Sequence, residues 1–343
     1  MTSIPRLSGV VPQKTILYGG VLAWVILAGG LFFGHGANSP WSSTVEFFGI
    51  TLTGVLFLVF ICLFPVDLAT GFGRFFPRVA PRLRSLVMTG GCILSVVATI
   101  QGIRPPVVTN YEVYLKDLPK ELDGTTLVAL SDLHLGNTLG PRWLESRVAQ
   151  VQALKPDIIL LLGDIFEGHG ENTEAFVPHF RKFSAPLGVW AVDGNHEKHG
   201  KAGVSWSSLA GTQITTLQNE LTQPISGLIF AGRSVSSNNN EKKSISWNPT
   251  RERPPGGLIL LAHYPEDAQA AAHAGVGLML TGHTHSGQVW PFNLLVEMKH
   301  PLISGRYNID GMTLLVCRGT GTWGPRMRLW RPSEILRVTL RSV

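Results

Sequence analysis

An α/β domain carried behind a group of membrane helices is the fold class this sequence predicts, and two observations predict it. Before residue 104 the apolar residues gather in three runs without a charge; beyond residue 110 they break into short β-branched runs that end in polar residues, with helix-like stretches between them. The chain has 343 residues, 44% hydrophobic and 15% charged. Disorder needs the opposite balance, so a natively unfolded chain is excluded, and the length exceeds a disulfide-stapled miniprotein.

The uncharged runs cover residues 16–34, 47–65 and 86–103. At 1.5 Å per residue each can cross most or all of a hydrocarbon layer roughly 30 Å thick. A helix is the form in which such a run satisfies its own backbone in lipid. We therefore expect a membrane anchor of about three spans in residues 1–109 and a separate domain in residues 110–343. Leu63-Phe64-Pro65 should stop the second helix, and Thr89, Ser95, Thr99 and Gln101 dilute the third.

Charge gives the anchor a direction. Residues 1–110 carry seven basic and two acidic side chains, whereas the other 233 residues carry 22 and 21. Of the formal charge of +6, +5 therefore lies in the apolar third, which argues for membrane orientation over nucleic-acid binding. Arg6 and Lys14 in the tail, and Arg74, Arg78, Arg82 and Arg84 between the second and third runs, should face the cytoplasm. Three crossings would leave the C-terminal domain outside the cytoplasm, on a multi-pass anchor in the inner (cytoplasmic) membrane. Cys62 and Cys92 fall inside the runs and Cys317 stands apart, so no intrachain disulfide is required.

In the second region the expected strands are 126–131, 157–162, 189–192, 258–262, 276–280 and 313–317. Residues 141–154 begin with Pro and space their apolar positions as a helix does, while 265–273 are Ala-rich with acids in the first turn. Pro105-Pro106 launches an extended stretch, and Ser234–Lys243 has the composition of an exposed loop. Such alternation points to helices covering sheet faces.

Five strand ends deliver chemistry: Asp132-Leu133-His134, Gly163-Asp164, Gly194-Asn195-His196-Glu197, His263, and Gly282-His283-Thr284-His285. Rigid strands aim such side chains and the following loops leave them accessible. Each motif alone has an ordinary explanation as a turn. Together they collect imidazole, carboxylate and amide oxygen without thiolate, a donor set suited to Zn, Mn or Fe more than Mg. Seven ligands with one carboxylate shared suit two divalent ions, which can clamp a phosphoryl group during in-line displacement.

The motifs DLH, GD, GNHE, the isolated His of LILLAHYPE, and GHTHSGQ, in that order, resemble those of the calcineurin-like metallophosphoesterase superfamily over about residues 125–325. ALSDLHLG, LLLGDIFEG, GVWAVDGNHE and TGHTHSGQ are most similar to its membrane-attached bacterial type, the YkuE/YaeI-like phosphodiesterases. The resemblance implies a sandwich of two mixed sheets flanked by helices, with a dinuclear centre at one edge. It implies that Asp132, His134 and His285 hold the first ion, that Asp164 bridges, and that Asn195, His263 and His283 hold the second. His196 would then face the phosphate and assist the leaving group, Glu197 would orient the His196 imidazole, and a hydroxide held by the metals would attack phosphorus.

His169 and His199 lie near the ligand loops, and Arg318, Arg326 and Arg328 bracket the Gly-rich segment 319–325. Of these, His169, Arg318 and Arg326 are the candidate substrate contacts. Trp290, Phe292, Trp323 and Trp330 suit an apolar lip for a lipid tail, core packing or anchoring at the membrane interface alike. The expected function is a membrane-anchored phosphohydrolase, a phosphodiesterase by preference, with a phospholipid or lipid-linked phosphate as substrate. A metal-dependent nuclease or nucleotide pyrophosphatase is the alternative, although a nearly neutral domain lacks the charge for a nucleic-acid partner. A non-catalytic membrane scaffold would require a damaged ligand set, and none of the motif residues is missing.

Overall fold

The computed structural model describes residues 13–29, 40–168, 173–199, 209, 211–235 and 253–343. It divides between Arg104 and Pro105 into two compact units, with the segment Gly324–Trp330 belonging to the first.

The first unit holds helices α1 (Gln13–Gly29), α2 (Pro40–Ala69) and α3 (Ala80–Ile103). Two helices among the described residues, rather than three, are long and apolar enough to cross a membrane: Ser43–Ala69 and Ala80–Ile103. The first expected span falls short because α1 has 17 residues, roughly 25 Å of helix against a layer roughly 30 Å thick. Residues 30–34 of that run lie outside the described residues. A second correction concerns Pro65, which does not stop α2; the helix continues through it to Ala69. Proline forfeits one backbone bond, but leaving the helix in an apolar environment would forfeit more.

The polar residues of α3 do not break it either. Thr89, Ser95 and Thr99 each donate to the carbonyl four residues back, at 2.8–2.9 Å, so their hydroxyls are satisfied inside the helix. Gly91 lets α2 and α3 approach at backbone distance, since a Cβ there would lie 2.9 Å from Val59 Cα. The segment Gly324–Trp330 packs with these helices: Arg328 N donates to Ala98 O at 2.8 Å and Trp330 N to Gln101 Oε1 at 3.0 Å.

The second unit contains two six-stranded mixed sheets. The first has the order β1 (Val107–Leu115), β12 (Glu334–Ser342), β2 (Thr126–Leu130), β3 (Ile158–Leu162), β4 (Val189–Val192), β5 (Ile214–Thr216). The second runs β10 (Gly305–Ile309), β11 (Met312–Val316), β9 (Leu278–Thr281), β8 (Gly256–Leu261), β7 (Gly227–Gly232), β6 (Glu220–Ile225). Helices α4 (Pro141–Ala153), α5 (Val177–Phe180), α6 (Asn195–His199), α7 (Ala268–His273) and α8 (Phe292–Lys299) join them.

Side-chain alternation builds the layers. Leu127 and Ala129 of β2 and Ile158, Leu160 and Leu162 of β3 point inward to Phe230, Ile259, Leu261, Leu278 and Leu280 of the other sheet. Their neighbours Val128, Leu130, Ile159 and Leu161 point outward, onto Leu144, Val148 and Val151 of α4 and onto Phe176, Phe180 and Phe183. On the far face Ile229, Leu258, Leu260 and Met279 meet Ala268 and Ala271 of α7. Strands covered on both sides read as continuous apolar runs, which is why β3, β8 and β9 stood out in the sequence. Strands β2, β3 and β4 are mutually parallel, as are β8 and β9, so each group delivers its carboxyl-terminal loops to one edge.

Candidate metal centre

The loops that leave these strand ends are held in uncommon backbone conformations. Asp132, His134, Asp164, His283 and His285 have φ of 54°, 45°, 50°, 74° and 48°. The left-handed region is sparsely populated by residues with a Cβ and is kept where surrounding structure imposes it. Here Asp132 N donates to Gly163 O and His134 N to Asp164 O, each at 3.0 Å, which locks one ligand loop onto the next. Gly194 is required by close approach, because a Cβ there would collide with Asp164 Oδ1.

Each side chain expected to hold metal arrives at this edge. The ligand atoms of Asp132, His134 and His285 lie within 4.8 Å of one another, and so do those of Asp164, His263 and His283. Asp164 stands between the groups, its Oδ2 3.9 Å from His134 Nε2 and 3.2 Å from His263 Nε2. Asn195 Oδ1 is 3.2 Å from His263 Nε2 and accepts from the Tyr264 hydroxyl at 3.2 Å. On the other flank, His134 Nε2 faces His285 Nε2 at 3.0 Å.

This donor set fits two divalent ions. His283 Nδ1 is buried without a hydrogen-bond partner, which is costly for an imidazole nitrogen unless something else takes its lone pair. His263 Nδ1 meets Leu162 O at 2.9 Å; a carbonyl only accepts, so that nitrogen carries the proton and Nε2 is left for a ligand.

The electrostatics of the centre favour positive charge. Burial pushes the His134 imidazole down, but Glu167, Asp164 and Asp132 outweigh it and raise it to about 9. Burial likewise opposes protonation of His263, which Asp164 and Asp132 raise to about 10. Burial works against the Asp164 carboxylate too, yet the neighbouring histidines, His263 foremost, hold it well below the usual range. His283 is the exception, lowered to about 2 by burial and by His263.

His196 sits beside the shared carboxylate. Its backbone N donates to Asp164 Oδ1 at 2.9 Å, and its ring lies 4.8 Å from that of His134. The ring is oriented by Glu167, whose carbonyl oxygen is 2.6 Å from His196 Nδ1. Nδ1 therefore bears the proton and Nε2 is the atom left to face a substrate.

Glu197 does not act as expected. Its carboxylate accepts backbone N–H groups from Gly194 at 2.7 Å, Asp164 at 2.9 Å, Ile165 at 2.8 Å and Phe166 at 3.2 Å. It pins the Gly-Asp loop to the Gly-Asn-His loop and does not orient the His196 ring. Burial, then the Asp164 charge, raises its carboxyl.

Of the candidate substrate contacts, His169 lies outside the described residues, as does the side chain of His199. Arg318 is committed elsewhere: its Nη2 lies 2.6 Å from Glu334 Oε2 and its backbone N donates to Glu334 Oε1. Arg326 belongs to the helical unit, as do Arg328 and Trp330. Glu167 and Tyr264 are the contacts that sequence reasoning missed. The carboxylate in Gly-Asp-Ile-Phe-Glu, three residues past a strand-end aspartate, was an available signal for the first; Tyr264 had only its place beside His263.

Residues 125–287 match the family model described as calcineurin-like phosphoesterase. A transmembrane protein with metallophosphoesterase domain from Danio rerio is 28% identical over 75% of this chain and 62% of its own length. An uncharacterized metallophosphoesterase of Campylobacter jejuni is 29% identical over 70% of this chain and 65% of its own. The uncharacterized metallophosphoesterase YkuE of Bacillus subtilis is 27% identical, over 68% and 85%. This chain therefore spans a little under two thirds of the first two relatives. A solved dimetal phosphatase structure from Danio rerio aligns with a TM-score of 0.35 at 13% identity, over 58% of this chain and 88% of that one.

Proposed function

Residues 125–287 belong to the calcineurin-like phosphoesterase family, and from that premise we propose that the chain is a membrane-anchored, dinuclear metal-dependent phosphodiesterase. The observation that carries the proposal is the position of Asp164, whose ligand oxygen groups with His263 and His283 on one side and with His134 and His196 on the other.

Asp132, His134 and His285 would hold one ion, Asn195, His263 and His283 the other, and Asp164 both. Two divalent ions, when bound, supply an activated water and a clamp for phosphoryl oxygens. The chain's own contribution is positional. Glu167 and Leu162 present the imidazoles of His196 and His263 through their carbonyls, and Glu197 fixes the loops. With Nδ1–H held by the Glu167 carbonyl, His196 would donate from Nε2 to the departing oxygen in its doubly protonated, imidazolium form.

The loop between α2 and α3 carries Arg74 and Arg78, and Arg82 and Arg84 follow in the first turns of α3. The positive-inside rule puts that loop in the cytoplasm, so one crossing by α3 carries Pro105 onward to the other side of the inner membrane. The orientation needs no third span. A phospholipid or lipid-linked phosphate is the substrate class that suits an enzyme held at a bilayer.

Purified full-length protein loaded with Mn²⁺, Zn²⁺ or Fe²⁺ is expected to hydrolyse bis(p-nitrophenyl) phosphate and to lose that activity with chelator. Failure of the metal-loaded protein to hydrolyse any phosphate ester would overturn the proposal.

A further inference from the structure

We propose that α8, together with Trp290 and Trp323, is a docking element that lies in the lipid–water interface of a bilayer. Its amphipathicity is inverted relative to a helix on a soluble domain. Asn293 is 5% exposed, and its Nδ2 donates to Glu297 Oε1, one turn on, at 3.3 Å. The polar stripe therefore faces the protein. Phe292, Leu294, Leu295 and Met298 face outward, with Met298 84% exposed. Large apolar side chains exposed side by side mark a surface that something covers.

The composition favours lipid. Trp290 precedes the helix and exposed Lys299 ends it, so an aromatic ring and a long basic chain flank the apolar stripe, as in helices lying in the headgroup region. Trp323 is joined to this patch through Gln288, which accepts from Trp323 N and donates to Trp323 O, each at 2.9 Å.

Chain continuity names the occupant. Trp323 is followed directly by Gly324, the first residue of the segment that packs with α2 and α3. The patch is thus covalently continuous with the part of the chain that enters the membrane. The inference rests on α2 and α3 spanning a bilayer and is independent of the metal chemistry.

The test is depth-resolved quenching on the full-length chain, one copy per lipid nanodisc, with lipids brominated on the acyl chains. An environment-sensitive fluorophore is placed on Met298→Cys in a Cys62→Ser, Cys92→Ser background, where Cys317 is buried and silent. Lys182→Cys, exposed on the same unit, supplies the aqueous reference, and native Cys92, exposed on α3, reports whether the span is in lipid. Bromolipid should remove more than about half of the emission at residue 298, as insertion of the apolar face to acyl depth requires, and leave residue 182 unchanged. Quenching at Cys92 with residue 298 open to aqueous iodide refutes the docking. With the same variant left unlabelled and reconstituted at several copies per vesicle, disulfide crosslinking between residues 298 of two chains would assign the face to a second copy and refute it equally. Absence of quenching at Cys92 refutes the membrane reading itself.

Discussion

The carboxylate of Glu167 lies 2.8 Å from Nδ1 of His134. A carboxylate behind an imidazole fixes the ring's tautomer and raises its basicity toward a metal on the opposite nitrogen. Glu167→Ala is therefore expected to weaken divalent ion binding by about 10- to 100-fold, read by metal titration of the chelated protein. Glu167→Gln should recover part of the loss, because its amide oxygen still accepts from Nδ1–H. Unaltered affinity in the alanine variant would detach Glu167 from the centre.

Asp164 is predicted to matter more than any other single candidate ligand, since its carboxylate lies 3.9 Å from His134 Nε2 on one side and 3.2 Å from His263 Nε2 on the other. Asp164→Ala should leave the protein without either ion, whereas His263→Ala should spare the ion at Asp132, His134 and His285. Metal analysis of the two purified variants decides this, and two ions retained by Asp164→Ala would contradict the shared role.

Adjacent residues His196 and Glu197 should separate into chemistry and architecture. His196→Ala is expected to retain both ions while turnover falls by roughly 10² to 10⁴. Glu197→Ala would strand four backbone N–H groups that now share one carboxylate. At about 1–3 kcal/mol for each buried donor left unpaired, it should lower the unfolding midpoint measurably and weaken metal binding with it. A Glu197→Ala protein of normal stability and reduced turnover would restore the role first expected for this residue.

That expectation shows what the sequence carried and what it did not. The seven residues that gather at the candidate centre were legible because each follows an apolar strand, so Asp132, Asp164 and His263 stand out as polar punctuation. Glu197 was misplaced because adjacency to His196 says nothing about direction: α6 starts at Asn195 and turns the carboxylate back onto the N–H groups of two loops. Glu167 acts on His196 through a backbone carbonyl, a contact that leaves no trace in residue type. β12 also escaped notice, and β1 was read only as an extended stretch after Pro105-Pro106. They pair in parallel, Val107 opposite Glu334 through Leu115 opposite Ser342, and in each the apolar residues are interrupted by polar ones such as Thr109, Asn110, Arg337 and Thr339, which leaves no continuous apolar run to read. Of the first expected span, the described residues hold only the 17 of α1.

Metal uptake should release protons. In the metal-free protein His134 and His263 are raised from 6.5 to about 9 and about 10, so both are protonated at neutral pH and must lose a proton to bind an ion. Apparent metal affinity should therefore climb from pH 7 to about 9 and level off above about 10. The stability of the metal-free domain runs the other way. A raised folded-state value gives stabilisation that is complete below 6.5 and lost as pH rises through about 9 to 10. Calorimetry in buffers of different ionisation enthalpy measures the protons released, and a buffer-independent heat at pH 7 would contradict the assignment.

Membrane orientation can be tested without resolving how α1 lies. The arginines between α2 and α3 face no equivalent basic cluster at the far end of α3, where Arg104 stands alone before Pro105-Pro106. Alkaline phosphatase fused after residue 104 or after Val343 is thus expected to be active, and the same reporter fused after residue 75 inactive, because it requires the oxidising side of the membrane. Replacing Arg74, Arg78 and Arg82 with alanine should weaken that asymmetry and produce mixed orientations. An active fusion at residue 75 with inactive ones at 104 and 343 would place the metal centre in the cytoplasm, and with it the phosphate esters available to the enzyme.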